Sequence, residues 1–410
     1  MQVMLADMVF ALSEAVDLVG VDDDLHGRRV AVMAAECARE LGYDTAHRWR
    51  LLHAGMLHDC GVSSTRVHAN LVNEFDWHGA QAHCVLGEAL LASIPVLADL
   101  APIVRWHHTH WSAMPPGLDP DVARDANLIY LVDRVDALTA PSYGAPDYLL
   151  AKEASRQRIA AASGREFCPA LVDAFLAVSR REAFWLTLER RHLTRYLNHA
   201  AAESLQGELD LAGMLALARA FSQIVDAKSP FTAEHSLGVA RLALHLAQRA
   251  GLDQPTCARI EIAALLHDIG KLRVPDEVLE KPGPLDPQQR ASMLCHSFET
   301  YQILSAIRGF DDIALWASCH HEKLDGSGYP FHFEAGEIPL PARIIAVADI
   351  AQALVQNRPY RGSMPDDAVM AHLQKLVANG LLDGEVVGLL DADCAASLAI
   401  ARGAAASALH

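Results

Sequence analysis

The chain has 410 residues and a formal charge of −17, with apolar residues at 51% and aromatics at only 6%. That length allows two hydrophobic cores, and the abundance of alanine and leucine favours helices packed by aliphatic side chains over a sheet sandwich. The acidic balance argues against nonspecific binding to DNA, RNA or an anionic membrane, which draws on a basic surface, although a local cluster of cations can still meet a small anionic ligand.

Met1 to Phe10 is apolar but carries Asp7 and lacks a basic start, and Glu14 and Asp17 follow too soon for a membrane span, so it reads as a soluble helix. The eight cysteines form no CxxC pair and suit a reducing cytoplasm; Cys60, Cys295 and Cys319 are expected to be small buried core residues. Val9 to Val19 predicts a first helix. His26 then opens an amphipathic one, Gly27 to Leu41, with Gly42 as its stop. Arg48 to Leu57 is apolar nearly all round and delivers His58-Asp59 to its end, ahead of Gly61. Asn127 to Leu138 turns Asp133 inward, and Cys168 to Trp185 closes a first domain, residues 1–186.

Glu189 to Leu211, rich in Arg, His and Glu, predicts a helical linker over 187–212. The second domain, 213–410, repeats the first: Met214 to Val225, then Ser236 to Ala250 opened by His235 and stopped by Gly251. Ala258 to Leu266 follows and delivers His267-Asp268 ahead of Gly270. Lys281-Pro282-Gly283-Pro284 breaks the chain, and Asp286 predicts the cap of a helix that carries His296. Arg343 to Val355 turns Asp349 inward, Asp383 to Leu390 closes the repeat, and the alanine-rich tail from Ala395 is expected to fray. The fold class is therefore all-α, with two tandem helical domains joined by a helical linker.

The repeat extends to chemistry. His26, His58-Asp59, His83, His107-His108 and Asp133 recur as His235, His267-Asp268, His296, His320-His321 and Asp349, with 32 residues from His26 to His58 and again from His235 to His267. An isolated core histidine or helix-end aspartate is usually structural; a repeated set of seven is not. Imidazole mixed with carboxylate suits first-row divalent ions, and the missing thiolate spacing argues against a structural zinc site. Seven ligands exceed the needs of one ion. The economical arrangement places Asp268 between two, with His235, His267 and Asp349 on one side and His296, His320 and His321 on the other. Two such ions activate a water against a phosphoester without a protein nucleophile. Asp268 and Lys271 are the expected catalytic residues, the lysine by neutralising a phosphate oxygen. Gly326, Gly328 and Pro330 predict a tight turn that brings Tyr329 and backbone amides to the ligand. Glu322 is expected to support a ligating imidazole.

The second half resembles the HD-GYP phosphodiesterases. The motifs are His267-Asp268-Ile269-Gly270-Lys271, His320-His321-Glu322 with Asp325-Gly326-Ser327-Gly328-Tyr329-Pro330, Ile338-Pro339-Leu340 with Arg343, and Arg358-Pro359-Tyr360-Arg361, over roughly residues 213–392. The resemblance implies HD-type helical domains and metal-dependent hydrolysis of cyclic dinucleotides, mainly cyclic di-GMP. It also implies substrate contacts from Lys271, Gly328, Tyr329, Arg358 and Arg361. Members with a third metal carry a glutamate where this chain has Phe231, so two ions are expected, Fe or Mn first, with Ni, Co or Zn as alternatives. Gln352 stands where the family usually has a second aspartate.

The first half resembles a divergent HD-type repeat that kept its ligands and lost its substrate grip. Val62 replaces the lysine, and Thr109-His110-Trp111-Ser112-Ala113-Met114-Pro115-Pro116 replaces the glycine–tyrosine–proline loop; Asp22 could add a carboxylate. Its expected role is regulatory, with His26, His58, Asp59, His83, His107, His108 and Asp133 as a possible second metal site. The whole then reads as a cytoplasmic cyclic-dinucleotide phosphodiesterase that works as a homodimer. Two rivals stand beside it: a hydrolase of other nucleotides, cyclic GMP-AMP included, and a non-catalytic sensor of metal or nucleotide.

Overall fold

The computed structural model describes residues 3–20, 25–74, 77–143, 145, 148–203, 207–228, 234–356 and 362–403. Among them the protein is all-α, and its strands are two residues each, Val3–Met4 and Glu208–Leu209. The chain divides into two compact units, Met4–Glu208 and Leu209–His410 with Met1–Val3. No described helix is long and apolar enough to cross a membrane.

In the first unit the helix His26–Glu40 packs against Thr45–Leu57 and Pro120–Thr139. In the second, His235–Arg249 packs the same way against Gln254–Leu266 and Leu340–Val355. Composition explains the partners of each first helix: Thr45–Leu57 and Gln254–Leu266 end in runs of buried aliphatic residues with no polar stripe to leave outside. Asp44 and Asp253 cap them by accepting from the backbone N–H groups of His47 and Thr256, both at 2.8 Å. Asp286 caps Pro287–Ser305 as the sequence predicts, in a reciprocal arrangement with Gln289. Gly42 and Gly251 take φ of 77° and 75°, the left-handed stop expected of them.

Two stretches differ from expectation. The segment read as a linker holds the helix Arg190–Glu203, which belongs to the first unit. Its Leu193 and Leu197, one turn apart, are buried, and Tyr196 donates to Glu36 at 2.9 Å. The tail expected to fray is helical over Cys394–Ala401, because Leu398 is fully buried; residues 404–410 lie outside the described residues.

One glycine in each unit decides whether the halves of the site can meet. A Cβ on Gly61 would stand 2.1 Å from the carbonyl oxygen of His83, and one on Gly270 would stand 2.1 Å from that of His296. The bare backbone lets the helix carrying the next histidine close onto the His-Asp pair. In the second unit this contact is tied by Thr300, whose hydroxyl donates to the His267 carbonyl at 3.0 Å and accepts from the Gly270 N–H at 3.1 Å. Gly270→Ala is therefore expected to destabilise the second unit by about 1–3 kcal/mol, the usual range for overpacking, and to displace His296. A urea unfolding midpoint unchanged from that of the parent protein would contradict the close contact.

Candidate metal centre

The second unit brings together all seven residues of the expected ligand set. His267 sits at the C-terminal end of Gln254–Leu266, with Asp268 directly after it. The Asp268 carboxylate faces two ways: Oδ2 lies 3.3 Å from His267 Nε2 and 3.9 Å from His235 Nε2, while Oδ1 lies 3.6 Å from His296 Nε2 and 3.7 Å from His320 Nε2. Asp349 Oδ1 stands 3.2 Å from His235 Nε2. The donor atoms form three overlapping groups, His235-His267-Asp268, His267-His320-Asp349 and His296-His320-His321.

Ring orientation comes from the backbone. His267, His296 and His320 each donate Nδ1–H to the carbonyl three residues earlier, on Ala264, Met293 and Ala317, at 2.7, 2.6 and 2.6 Å. That fixes the tautomer and turns Nε2 toward the centre. His267 Nε2 and Asp268 Oδ1 are buried with no hydrogen-bond partner, an arrangement that costs free energy unless a cation takes it up. The donor set and its orphaned atoms fit divalent first-row metal.

The charges agree. Burial works to raise the Asp268 carboxyl, but His267 and the Lys271 ammonium hold it well below the usual carboxylate range. Burial works to lower His267, yet Asp268 and Asp349 lift it to about 9, whereas burial brings His296 to about 3 and His321 to about 4. Burial lowers His320 as well, so these three rings are poised as neutral ligands.

At the mouth, Lys271 Nζ pairs with Asp268 Oδ2 at 2.5 Å. The Tyr329 ring lies 4.8 Å from that of His321, between centroids, and 6.2 Å from that of His296. Burial first, then Asp268 and Asp349, push its phenol up. Gly328 is sterically required, since a Cβ there would stand 2.4 Å from Glu322 Cα. Glu322 does not support an imidazole as expected: its carboxylate accepts the Phe331 and Phe333 backbone N–H groups at 2.7 and 3.2 Å and so clamps the loop that carries Tyr329. Cys60 and Cys319 are buried as expected but Cys295 is exposed, because the inward turn of His296 directs its neighbour outward. Arg358, Arg361, Phe231 and Asp22 lie outside the described residues.

The first unit assembles its seven residues as well, in the groups Asp59-His83-His107-His108 and His26-His58-Asp133. Asp59 again faces both ways, Oδ1 3.1 Å from His83 Nε2 and Oδ2 3.5 Å from His58 Nε2. Three neighbours escaped the sequence reading. Arg134 pairs with Asp133 Oδ2 at 2.8 Å, Asp136 takes His26 Nδ1 at 2.8 Å, and the Cys84 thiol lies 3.6 Å from His107 Nδ1. The position of Asp136, one helical turn past Asp133, was the available signal. The segment that replaces the loop is pinned by Trp111 and Ser112 N–H groups donating to the carbonyls of Glu166 and Arg165.

Residues 24–140 and 219–386 each match an HD domain family. The chain is also 36% identical, over 95% of its length and 91% of the relative's, to the 3'3'-cGAMP-specific phosphodiesterase 1 of Vibrio cholerae. The chain belongs to the HD-GYP cyclic-dinucleotide phosphodiesterases. A second HD-GYP relative, the cyclic di-GMP phosphodiesterase response regulator RpfG of Xanthomonas campestris, is 44% identical over 31% of this chain and 34% of its own. The crystal structure of a cyclic GMP-AMP specific phosphodiesterase of V. cholerae, V-cGAP3, superposes with a TM-score of 0.67 at 25% identity, covering 96% of this chain and 98% of that one. HD-GYP phosphodiesterases are metal-dependent, in keeping with the donor set.

Because His267 holds a proton at neutral pH and must shed it to ligate, metal uptake by this HD-GYP centre is expected to release protons and to strengthen as pH rises toward about 9. Calorimetry in buffers of different ionisation enthalpy reads the release directly. Affinity that stays flat from about pH 6 to 8 would contradict it.

Proposed function

We propose that this protein hydrolyses 3'3'-cyclic GMP-AMP at its second unit, using two divalent first-row ions, Fe or Mn. The carrying observation is the two-faced Asp268, whose oxygens address separate histidine pairs. His235, His267 and Asp349 would hold one ion and His296, His320 and His321 the other, with Asp268 shared. Such a pair supplies an acidified water as nucleophile and positive charge against the phosphate.

The chain's own residues do the rest. Lys271, beside Asp268, places an ammonium where charge accumulates on a phosphate oxygen. Tyr329, held over His321 by the loop that Glu322 clamps, borders the ligand, and Gly328 keeps that backbone close. Arg358 and Arg361 are assigned to phosphate or base. The burial of His235, His267, Asp268, His296, His320 and Asp349 strengthens the electrostatic interactions at the centre.

The choice of cyclic GMP-AMP over cyclic di-GMP is supported by extent: similarity to cGAMP-specific relatives runs through both units, while the match to RpfG covers about a third of the chain. The higher identity of that shorter match favours cyclic di-GMP as the second reading. For the first unit, a possible second metal site, we assign regulation rather than turnover. Arg134 occupies Asp133, and its loop is pinned to residues 165 and 166.

The test is anaerobic purification, supply of Fe²⁺ or Mn²⁺, and assay of both cyclic dinucleotides beside a panel of other nucleotides. Cyclic GMP-AMP is expected to give the highest kcat/KM. Asp268→Ala is expected to abolish turnover, and Lys271→Ala to lower kcat by about 100-fold, the scale of a lost transition-state charge partner. Hydrolysis of another nucleotide but neither dinucleotide would favour the broader hydrolase reading, absence of any hydrolysis the sensor reading, and undiminished turnover in Asp268→Ala would place catalysis elsewhere.

A further inference from the structure

His235 is oriented unlike the other ligands whose ring contacts are described for the second centre. His267, His296 and His320 lie far enough along their helices to reach a carbonyl three residues back, whereas His235 opens its helix directly after Glu234 at φ 64°. Its Nδ1 instead lies 2.5 Å from Gln352 Oε1. An amide oxygen only accepts, so Nδ1 carries a proton, and Nε2 is the nitrogen turned to the centre, 3.2 Å from Asp349 Oδ1.

The first unit solves the same problem with charge. There Asp136 accepts from His26 Nδ1 and is bound by Arg29 at 2.7 and 2.9 Å, with Tyr143 donating at 2.7 Å. Gln352 follows Asp349 at the offset by which Asp136 follows Asp133, and Gly238 follows His235 at the offset by which Arg29 follows His26. The two differences are coupled in space: a Cβ on Gly238 would stand 2.8 Å from Gln352 Cγ and Nε2. Removing the arginine makes room for the longer amide, and both charges leave together.

We propose that Gln352 is the positioning residue of the second centre. It fixes the tautomer and direction of His235 without the added basicity that a carboxylate behind an imidazole confers, so the ion shared by His235, His267 and Asp349 is held in register yet exchanges more readily than it would on a carboxylate-backed ring. This rests on the reading that the second unit holds metal.

The experiment titrates Mn²⁺ into the metal-free full chain as parent, Gln352→Ala, Gln352→Glu and His267→Ala, with a urea unfolding midpoint for each. Gln352→Ala is expected to weaken one Mn²⁺ site by about 10–100-fold, and Gln352→Glu, which keeps the acceptor and adds charge, to bind it at least as tightly as the parent. Parent-like binding by a folded Gln352→Ala overturns the proposal, as does failure of a folded Gln352→Glu to restore what alanine loses. Loss of a site in His267→Ala with none in Gln352→Ala overturns the positioning role alone. A parent protein that takes up no Mn²⁺ overturns the metal reading beneath it.

Discussion

Everything in each unit is arranged around one ionised carboxylate at the end of a buried helix. Asp268 is buried and Asp59 largely so, with 13% of its side chain exposed, and each points its two oxygens at different histidines. Isolated in an apolar interior such a group would take up a proton. Here imidazoles keep it charged, joined at Asp268 by the Lys271 ammonium. The packing serves this geometry. Apolar helices bring His-Asp to the middle of each unit, and a glycine two residues beyond the aspartate allows the next histidine to close on it.

Much of this is legible in the sequence, for identifiable reasons. Histidine and aspartate are chemically conspicuous and recur at matching positions, so the repeat exposes all fourteen candidate donors that the fold gathers, while helix periodicity, capping aspartates and terminal glycines give the architecture. What stays hidden depends on contacts between distant segments. Glu322 sits beside two histidines in sequence and suggests an imidazole partner, but the turn of the loop carries its carboxylate to backbone amides nine and eleven residues on. The helix Arg190–Glu203 is polar enough to pass for a linker, because among its residues of described burial only Leu193 and Leu197 are buried. Arg134, Asp136 and Cys84 are ordinary helix residues until the fold sets them against the rings.

The two units set matching candidate donors in different surroundings. The second has a lysine beside its shared carboxylate and an aromatic loop over its histidines. The first has Val62 buried at the lysine position, an arginine fastened to Asp133, and its corresponding segment tied to a turn. Surrounding residues, rather than the donor set, separate a site flanked by a lysine and a tyrosine from one backed by salt bridges.

The carbonyls that steer His267, His296 and His320 belong to the main chain, so ordinary codon changes leave them in place. His235 depends on the side chain of Gln352, which a single nucleotide change can remove. The centre is therefore unevenly exposed to substitution: the rings of His267, His296 and His320 take their aim from the main chain, while that of His235 rests on a side chain that no inspection of the ligands alone would mark as vulnerable.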